Sequence, residues 1–182
     1  MSNIRSYFGQ RWRTILVAGA LACTAVSAFA GSAVDLSPTL ELPPPEIELA
    51  GANQALVNQW GNNHSADITQ SGFANAAMVS QFGYANELIA AQTGYANYLN
   101  LTQVGAQNVA FLAQSGMLNT AFVAQWGNLN STNIQQAGSG NSASVAQFGN
   151  GNSAQIIQSG NGLNVVVTQF GDNNVARVTQ RN

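Results

Sequence analysis

The chain has no lysine, one cysteine, one histidine, and charged side chains at only 7% of its 182 residues. Without clustered cations it is a poor candidate for binding nucleic acid, which relies on lysine and arginine at the phosphates. A lone cysteine cannot form an internal disulfide. Sparse histidine and scattered acidic residues do not make a catalytic cluster. The sequence therefore predicts no enzyme, cofactor, metal site or small-molecule substrate.

Long hydrophobic runs are also missing, apart from one near the start. A basic beginning is followed by the short apolar run Ile15–Ala30, which ends in an Ala-x-Ala site. This arrangement is typical of a secretory signal peptide, and the run is too short to be a good membrane span. An N-terminal anchor helix is the alternative. We expect residues 1–30 to be a signal peptide whose removal leaves a chain with a net charge of −5.

Proline is confined to residues 31–52, which contain Pro38 and the run Pro43–Pro45. The same segment holds four of the seven acidic residues. Consecutive prolines disfavour both helix and strand pairing. The sequence predicts an extended, mostly disordered leader, which is either a plain linker or an address for export machinery.

From residue 53 to residue 182 the chain repeats itself. Glutamine recurs every eleven residues, and glycine follows two residues after each glutamine but the last. Such a period is the signature of a repeat architecture. The glutamines are Gln59, Gln70, Gln81, Gln92, Gln103, Gln114, Gln125, Gln136, Gln147, Gln158, Gln169 and Gln180.

Asparagine follows the same period six residues before the glutamine, and only His64 and Leu163 depart from it. The residue after glutamine alternates between bulky and small, so the true repeat is 22 residues long. We call each 22-residue unit a rung. The asparagines are Asn53, Asn75, Asn86, Asn97, Asn108, Asn119, Asn130, Asn141, Asn152 and Asn174.

Each eleven-residue unit is long enough for a seven-residue strand and a four-residue turn. Side chains alternate along a strand, so the first, third, fifth and seventh residues of each unit share one face. These four residues are Asn, then Ala, then Val or Ile, and then Gln. Stacking the rungs places identical residues over one another, so the amides form ladders that satisfy buried polar groups. The sequence predicts an all-β protein, a β-solenoid of six rungs with two strands each and amyloid-like cross-β stacking.

The remaining polar and aromatic residues have alternative interpretations. His64 takes an asparagine position, which favours a polar ladder substitute over a metal ligand or base. Asp67 and Glu87 are predicted on the outside of one sheet, either as solvated charges or as a carboxylate pair near His64. The aromatic residues after alternate glutamines indicate corner packing, although a carbohydrate-binding solenoid would also place aromatic rings in a stripe.

The repeat resembles a known family. The run Gln147-x-Gly149-x-Gly151-Asn152-x-Ala154-x₃-Gln158 is similar to the curlin repeat of bacterial curli fibres, and the likeness covers residues 53–182. The resemblance implies an extracellular functional amyloid of a Gram-negative bacterium. Its subunits are exported unfolded through a dedicated outer-membrane channel with accessory proteins. They then polymerise with themselves and a partner curlin into adhesive biofilm fibres.

Curlins are of two types, a major fibre subunit and a minor subunit that nucleates it. The ending Ala176–Arg181 is similar to that of the minor subunit, and the leader lacks the glycine-rich character of major subunits. The resemblance therefore favours the nucleating subunit, with the major subunit as the alternative. Both arginines of the repeat region, Arg177 and Arg181, lie in this ending and are candidates for attachment to the cell surface.

Self-assembly follows from the predicted topology. The two end rungs of a solenoid present unpaired backbone N–H and C=O groups, which most soluble proteins cover. An incoming copy can continue the backbone pairing and the amide ladders. We therefore expect the periodic glutamines and asparagines to form the assembly site.

Overall fold

The structure is a computed structural model that describes residues 52–182 together with the backbone of two earlier strands, Arg13–Gly19 and Cys23–Phe29. The other residues of the predicted signal peptide, and the predicted leader up to residue 51, lie outside the described residues. The predicted boundaries of these segments therefore stay predictions. The described residues contain no helix of the length and hydropathy that crossing a bilayer requires.

Every element of the described chain is a β-strand. Most strands are seven to ten residues long, and a short turn joins each one from β3 onwards to the next. In chain order they are β1 (Arg13–Gly19), β2 (Cys23–Phe29), β3 (Asn53–Asn62), β4 (Ser65–Phe73), β5 (Ala76–Tyr84), β6 (Glu87–Tyr95), β7 (Tyr98–Ala106), β8 (Val109–Met117), β9 (Thr120–Asn128), β10 (Ser131–Ser139), β11 (Ser142–Phe148), β12 (Ser153–Asn161), β13 (Asn164–Phe170) and β14 (Val175–Arg181).

The strands form two sheets by alternation. Odd-numbered strands make sheet A and even-numbered strands make sheet B, each in chain order. From β3 onwards, neighbours within a sheet are parallel and pair residues that are 22 positions apart, as Gln136 pairs with Gln158 and Gln125 with Gln147. This confirms the predicted solenoid of six rungs with two strands in each.

The first rung has additional neighbours at its outer edge. Strand β1 pairs with β3, and β2 pairs with β4, and both pairings are antiparallel. They are the only antiparallel pairs among the described strands. The sequence analysis did not predict them, since it treated residues 1–30 as a removable segment.

The core is a thin layer between the two sheets. Inward positions alternate with outward ones, so Ala143, Val145 and Gln147 of β11 are buried while the residues between them are partly exposed. Much of the apolar interior consists of alanine and valine, which are small side chains. Burial of apolar surface stabilises by roughly 25 cal/mol per Å². Because a thin core offers little of that surface, the buried amides must also be satisfied for the rung to hold.

The strands are longer than predicted. Within the solenoid, β11, β13 and β14 have seven residues, but β4 to β10 and β12 have nine and β3 has ten. The reason is that pairing between rungs continues past the glutamine and through the glycine, as Gly61 pairs with Gly83. The turn is therefore part of the stack, and its backbone also bonds to the neighbouring rung.

The corner glycines are required by close approach of the backbone. Gly127 has a φ of 118°, and a Cβ atom there would run into the carbonyl group of Gly149 in the next rung. Two residues later the backbone is left-handed but open, and it accepts residues with side chains, such as Leu129 at a φ of 59°. The repeated glycine is thus fixed by stacking, whereas the later turn position is not.

Candidate functional site: amide ladders and the ends of the stack

Two columns of glutamine run the length of the stack. Here a column means the residues at one position in successive rungs of a sheet. In each column the Nε2 of one glutamine donates to the Oε1 of the glutamine 22 residues later, at 2.7–3.1 Å. All ten bonds therefore point toward the C-terminal rung.

The second hydrogen of each glutamine amide joins the two sheets. Nε2 of Gln147 in sheet A donates to the carbonyl oxygen of Ser131 in sheet B at 3.1 Å. The same bond to the residue sixteen positions earlier recurs from Gln70 to Gln180. Each glutamine thus holds neighbouring rungs together and closes the gap between the sheets beside the turn.

Two columns of asparagine run in the opposite sense. The Oδ1 of Asn53 accepts both the backbone N–H and the Nδ2 of Asn75, each at 3.0 Å. The donor is therefore the later rung, and the bonds point toward the N-terminal rung. Nδ2 of Asn75 also donates to the carbonyl of Gly94, which fixes the neighbouring turn. An asparagine at this position consequently satisfies backbone groups in two places.

These amides are deeply buried and fully used. Asn75, Asn97, Gln81 and Gln103 are inaccessible to solvent. A buried polar group left without a partner costs ~1–3 kcal/mol, so each rung relies on the next to satisfy its amides. The predicted glutamines and asparagines thus lie together in four columns within the chain.

His64 fills the first place of one asparagine column. Its Nδ1 accepts the backbone N–H of Asn86 at 3.2 Å, and its Nε2 lies 3.0 Å from the carbonyl oxygen of Trp60. The first contact needs an acceptor and the second a donor, so the neutral tautomer with the proton on Nε2 fits both. Burial lowers the pKa of His64 below 6.5, against the opposing effect of hydrogen bonds to the backbone of Trp60 and Gly83.

Leu163 interrupts the other asparagine column at its last place. Its backbone N–H still donates to the Oδ1 of Asn141 at 3.0 Å. Its side chain has no oxygen that would accept the N–H of a further rung. The two departures from the asparagine pattern therefore differ, because His64 preserves the acceptor and Leu163 removes it.

A further ladder lies in the turns and was missed by the sequence analysis. The backbone N–H and Nδ2 of Asn128 both donate to Oδ1 of Asn150. The backbone N–H and Nδ2 of Asn150 in turn donate to Oδ1 of Asp172. A shorter example joins Asn161 to Asn182. The signal in the sequence is a recurrence of Asn or Asp three residues after glutamine, which is present at Asn62 and then only from Asn128 onwards.

Thr132 was missed as well. It occupies an inward position that alanine holds in most units, and it is inaccessible to solvent. Its Oγ1 donates to Oε1 of Gln147 and accepts from Nε2 of Gln125, at 3.0 and 3.2 Å. The hydroxyl therefore joins the glutamine column from the opposite sheet.

The aromatic residues that follow the glutamines lie on the outside of sheet A. Phe148 stacks on Phe170 with ring centroids 5.0 Å apart and contacts Trp126 edge-on at 5.3 Å. Trp126 and Phe170 are exposed. The rings thus pack on one another along the stack rather than inside the corners. Val104 interrupts this aromatic stripe between Phe82 and Trp126, and binding of a sugar stays a prediction.

Charges are confined to the two ends of the solenoid, since residues 88–171 contain none. Asp67 and Glu87 lie on outward positions of sheet B, where Asp67 pairs with Ile89 and Glu87 with Ser65. The two carboxylates are therefore not directly opposite each other. Oδ1 of Asp67 is buried and has no hydrogen-bond partner. Among the described residues, no group of His, Cys, Asp and Glu has the arrangement of a metal site.

The C-terminal rung is the open end. No described strand pairs with the outer edges of β13 and β14. Val165 and Val167 keep 6% and 8% of their surface exposed, while their counterparts in the rung before, Ala143 and Val145, keep at most 1%. No residue of strand β14 is buried, because every position is either exposed or partly exposed. Unpaired backbone groups and exposed ladder ends make this edge able to accept another strand.

Taken together, stacked in-register strands, buried amide ladders and an open end define a structural protein of the amyloid-like β-solenoid class. The comparison with protein families agrees with this and is more specific. The curlin-associated repeat matches residues 61–94, 95–127, 127–160 and 149–181. The chain therefore belongs to the curlin repeat family, whose repeats are structural rather than enzymatic. Neither the curated proteins nor the solved structures include a significant match.

Proposed function

We propose that this chain is a subunit of extracellular curli-type amyloid fibres and that it serves as the minor subunit, which nucleates polymerisation of a major curlin. The single observation that supports a fibre role is the continuity of both glutamine columns and one asparagine column up to an open end. Gln169 and Gln180 each donate to a carbonyl oxygen, and no further glutamine among the described residues lies beyond them to accept the onward bond that the earlier glutamines make. A following subunit with the same repeat would accept this bond from both.

Growth then needs no catalytic group. The outer edge of β13 and β14 offers backbone N–H and C=O groups at the spacing of a parallel strand, and the columns fix which residues meet. Each added rung satisfies the amides of the rung before it and completes the burial of Val165 and Val167. A folded stack therefore acts as a template, and an unfolded subunit exported through the outer-membrane channel folds onto it.

The nucleating role is supported by the composition of the last rung. Arg177 and Arg181 are exposed there, and they are the only cations of the repeat region. Guanidinium groups bind phosphate and carboxylate well, and an acidic cell surface attracts them. We infer that in a nucleating copy this rung attaches the protein to the cell, so that the partner curlin adds at the opposite edge, β3 and β4, whose groups are complementary to those of β13 and β14.

The major subunit is the second candidate. It is favoured by the equal spacing of all six rungs, which lets copies of this chain follow one another without a partner. Abundant fibres on cells that express this chain and no other curlin would support the major role and contradict the nucleating one.

Deletion of residues 163–182 tests the attachment. We expect the truncated protein to be released from cells, yet to seed a partner curlin when purified, because β11 and β12 end in complete columns. The matched control is the full chain with Arg177→Gln and Arg181→Gln, which keeps the rung and removes its charge. Cell-bound and released protein are quantified by immunoblot, and seeding by the lag time of partner polymerisation. Truncated protein that stays on the cell as before contradicts attachment through this rung.

A further inference from the structure

One outward column of sheet B begins and ends with opposite charges. Its members in successive rungs are Asp67, Ile89, Phe111, Asn133, Gln155 and Arg177. A second copy that continues the stack beyond β14 in the same register brings its own Asp67 next to Arg177 of the first. No other charged residue of the repeat region has an oppositely charged residue at the far end of its column.

We propose that Asp67 of one copy and Arg177 of the preceding copy form an ion pair across the joint, and that this pair sets the register and direction of stacking. The proposal rests on the proposed function as a fibre subunit, and it concerns each copy whose last rung is followed by another copy of this chain rather than attached to the cell. Its partner is a second copy of this chain, recognised through the complementary charges of the two ends.

The state of each residue in the single copy fits a pair that forms only between copies. Oδ1 of Asp67 has no hydrogen-bond partner although β2 lies against this edge of β4, so a chain without β2 presents this oxygen as an acceptor to another copy. Arg177 is exposed on the last strand, and its neighbour within the chain is the uncharged Gln155. Adjacent strands lie ~4.8 Å apart, a separation at which a carboxylate and a guanidinium in one column meet directly.

The ladders alone leave the register ambiguous. Glutamine and asparagine recur every eleven residues, so a copy rotated by half a rung would still match them. In that arrangement Asp67 would meet Val166 of sheet A, and Arg177 would meet Leu56. Contacts between two like ends would instead bring Arg177 near Arg177, or Asp67 near Asp67. Only head-to-tail stacking in whole rungs pairs the opposite charges.

The rest of the joint is compatible with this register. The amide hydrogens of Gln169 and Gln180 meet the Oε1 atoms of Gln59 and Gln70 in the next copy. The backbone N–H of the next His64 meets Oδ1 of Asn174. The joint also requires β3 and β4 to be uncovered, since β2 places Ser27 against Asp67. A chain cleaved after Ala30, as the sequence predicts, has this edge open.

Charge reversal tests the pair. The variants are Asp67→Arg, Arg177→Asp and the combination of the two. The controls are Glu87→Arg and Arg181→Asp. They make the same changes of net charge at positions that have no opposite charge across the joint. Each protein is expressed as the whole chain, collected after export, dissolved in denaturant and diluted into assembly buffer. Growth on fragmented wild-type or self-derived fibres is followed at low and high ionic strength.

We expect each single reversal to slow growth on its own fibres roughly tenfold at low salt, because like charges then meet at every joint. The combined variant restores the wild-type rate, and so does an equimolar mixture of the two single variants, whose copies alternate. The differences shrink at high salt through screening. The two controls grow like wild type.

Two results overturn the proposal. A combined variant that is as slow as the single variants contradicts pairing, and so does Glu87→Arg slowing growth as much as Asp67→Arg. In both cases the wild-type protein still forms fibres, and the proposed function stands. Failure of the wild-type protein to assemble, alone or with a partner curlin, contradicts the proposed function itself and the pair with it.

Discussion

The Nδ1 atom of His64 accepts the backbone N–H of Asn86, so an imidazole occupies the place that asparagine fills in every later rung of its column. The imidazole can serve as this acceptor only while Nδ1 carries no proton. The first rung is therefore the one place where the ladder depends on the protonation state of a side chain.

This dependence predicts a loss of stability in mild acid. The pKa of His64 is lowered by burial from its ordinary value of 6.5, so the unfolded chain takes up a proton at a higher pH than the folded one. The contribution of neutral His64 to the free energy of unfolding is complete above pH 6.5. It falls as the pH drops from 6.5 to the lowered pKa of the folded state, and below that pKa it no longer changes. The denaturant midpoint of the assembled protein, measured across this range, should follow that course. His64→Asn should flatten it, and an unchanged slope in that variant would contradict the assignment.

The buried amides predict a difference between inward and outward substitutions. Gln147→Ala removes an acceptor for Gln125 and Thr132 and a donor to Gln169. Each buried group left unsatisfied costs ~1–3 kcal/mol. Ser144→Ala changes an outward position of the same strand. We expect slower assembly and a lower denaturant midpoint for Gln147→Ala alone, as measured by dye-binding kinetics and by dissociation in guanidinium. Equal behaviour of the two variants would show that the inward assignment is wrong.

One turn offers a matched pair of glycines. A Cβ on Gly138 would run into the carbonyl of Gly160, whereas nothing lies within 4 Å of one on Gly140. Both have positive φ, but alanine already occupies the position of Gly140 in three earlier turns, for example Ala96. Gly138→Ala should therefore prevent assembly or slow it strongly, and Gly140→Ala should change the free energy of dissociation by less than about 1 kcal/mol. Thermal or denaturant dissociation of both variants checks this, and comparable losses would argue against close rung contact at the corner.

Restoring the asparagine pattern at the last rung should help the next subunit to add. Leu163→Asn supplies an Oδ1 acceptor for the backbone N–H that stacks on it, worth ~1 kcal/mol for a net hydrogen bond. We expect several-fold faster growth from the C-terminal end. Val166→Asn, at an outward position of the same strand, is the control. Growth rates on seeds of fixed number provide the measurement, and no gain over that control would indicate that this column does not continue between copies.

Much of the fold was predictable because the same environment is sampled twelve times. One asparagine or glutamine says little about its surroundings, but a column of six at one spacing excludes nearly every other placement. The sequence analysis accordingly identified the sheets, the inward faces and His64 as a ladder residue.

What escaped prediction depends on geometry that composition does not encode. An amide donates from one end and accepts at the other, so periodicity cannot say which rung supplies the proton. Backbone pairing in the turns extends the strands through the corner glycines. The same pairing produces the ladder of Asn128, Asn150 and Asp172. Thr132 was overlooked because a single exception in a column looks like variation until the amides around it are placed.

The opposed directions of the two kinds of ladder have an electrical consequence. Each side-chain amide is a dipole, and aligned amide dipoles add up along an axis, as peptide units do in a helix. Two glutamine columns point one way and two asparagine columns the other, so their moments largely cancel in the four inner rungs, where all four columns hold an amide. A fibre of any length would therefore build up little side-chain dipole. The dipole contribution of these amides to the free energy of adding a rung would then not depend on the length of the fibre.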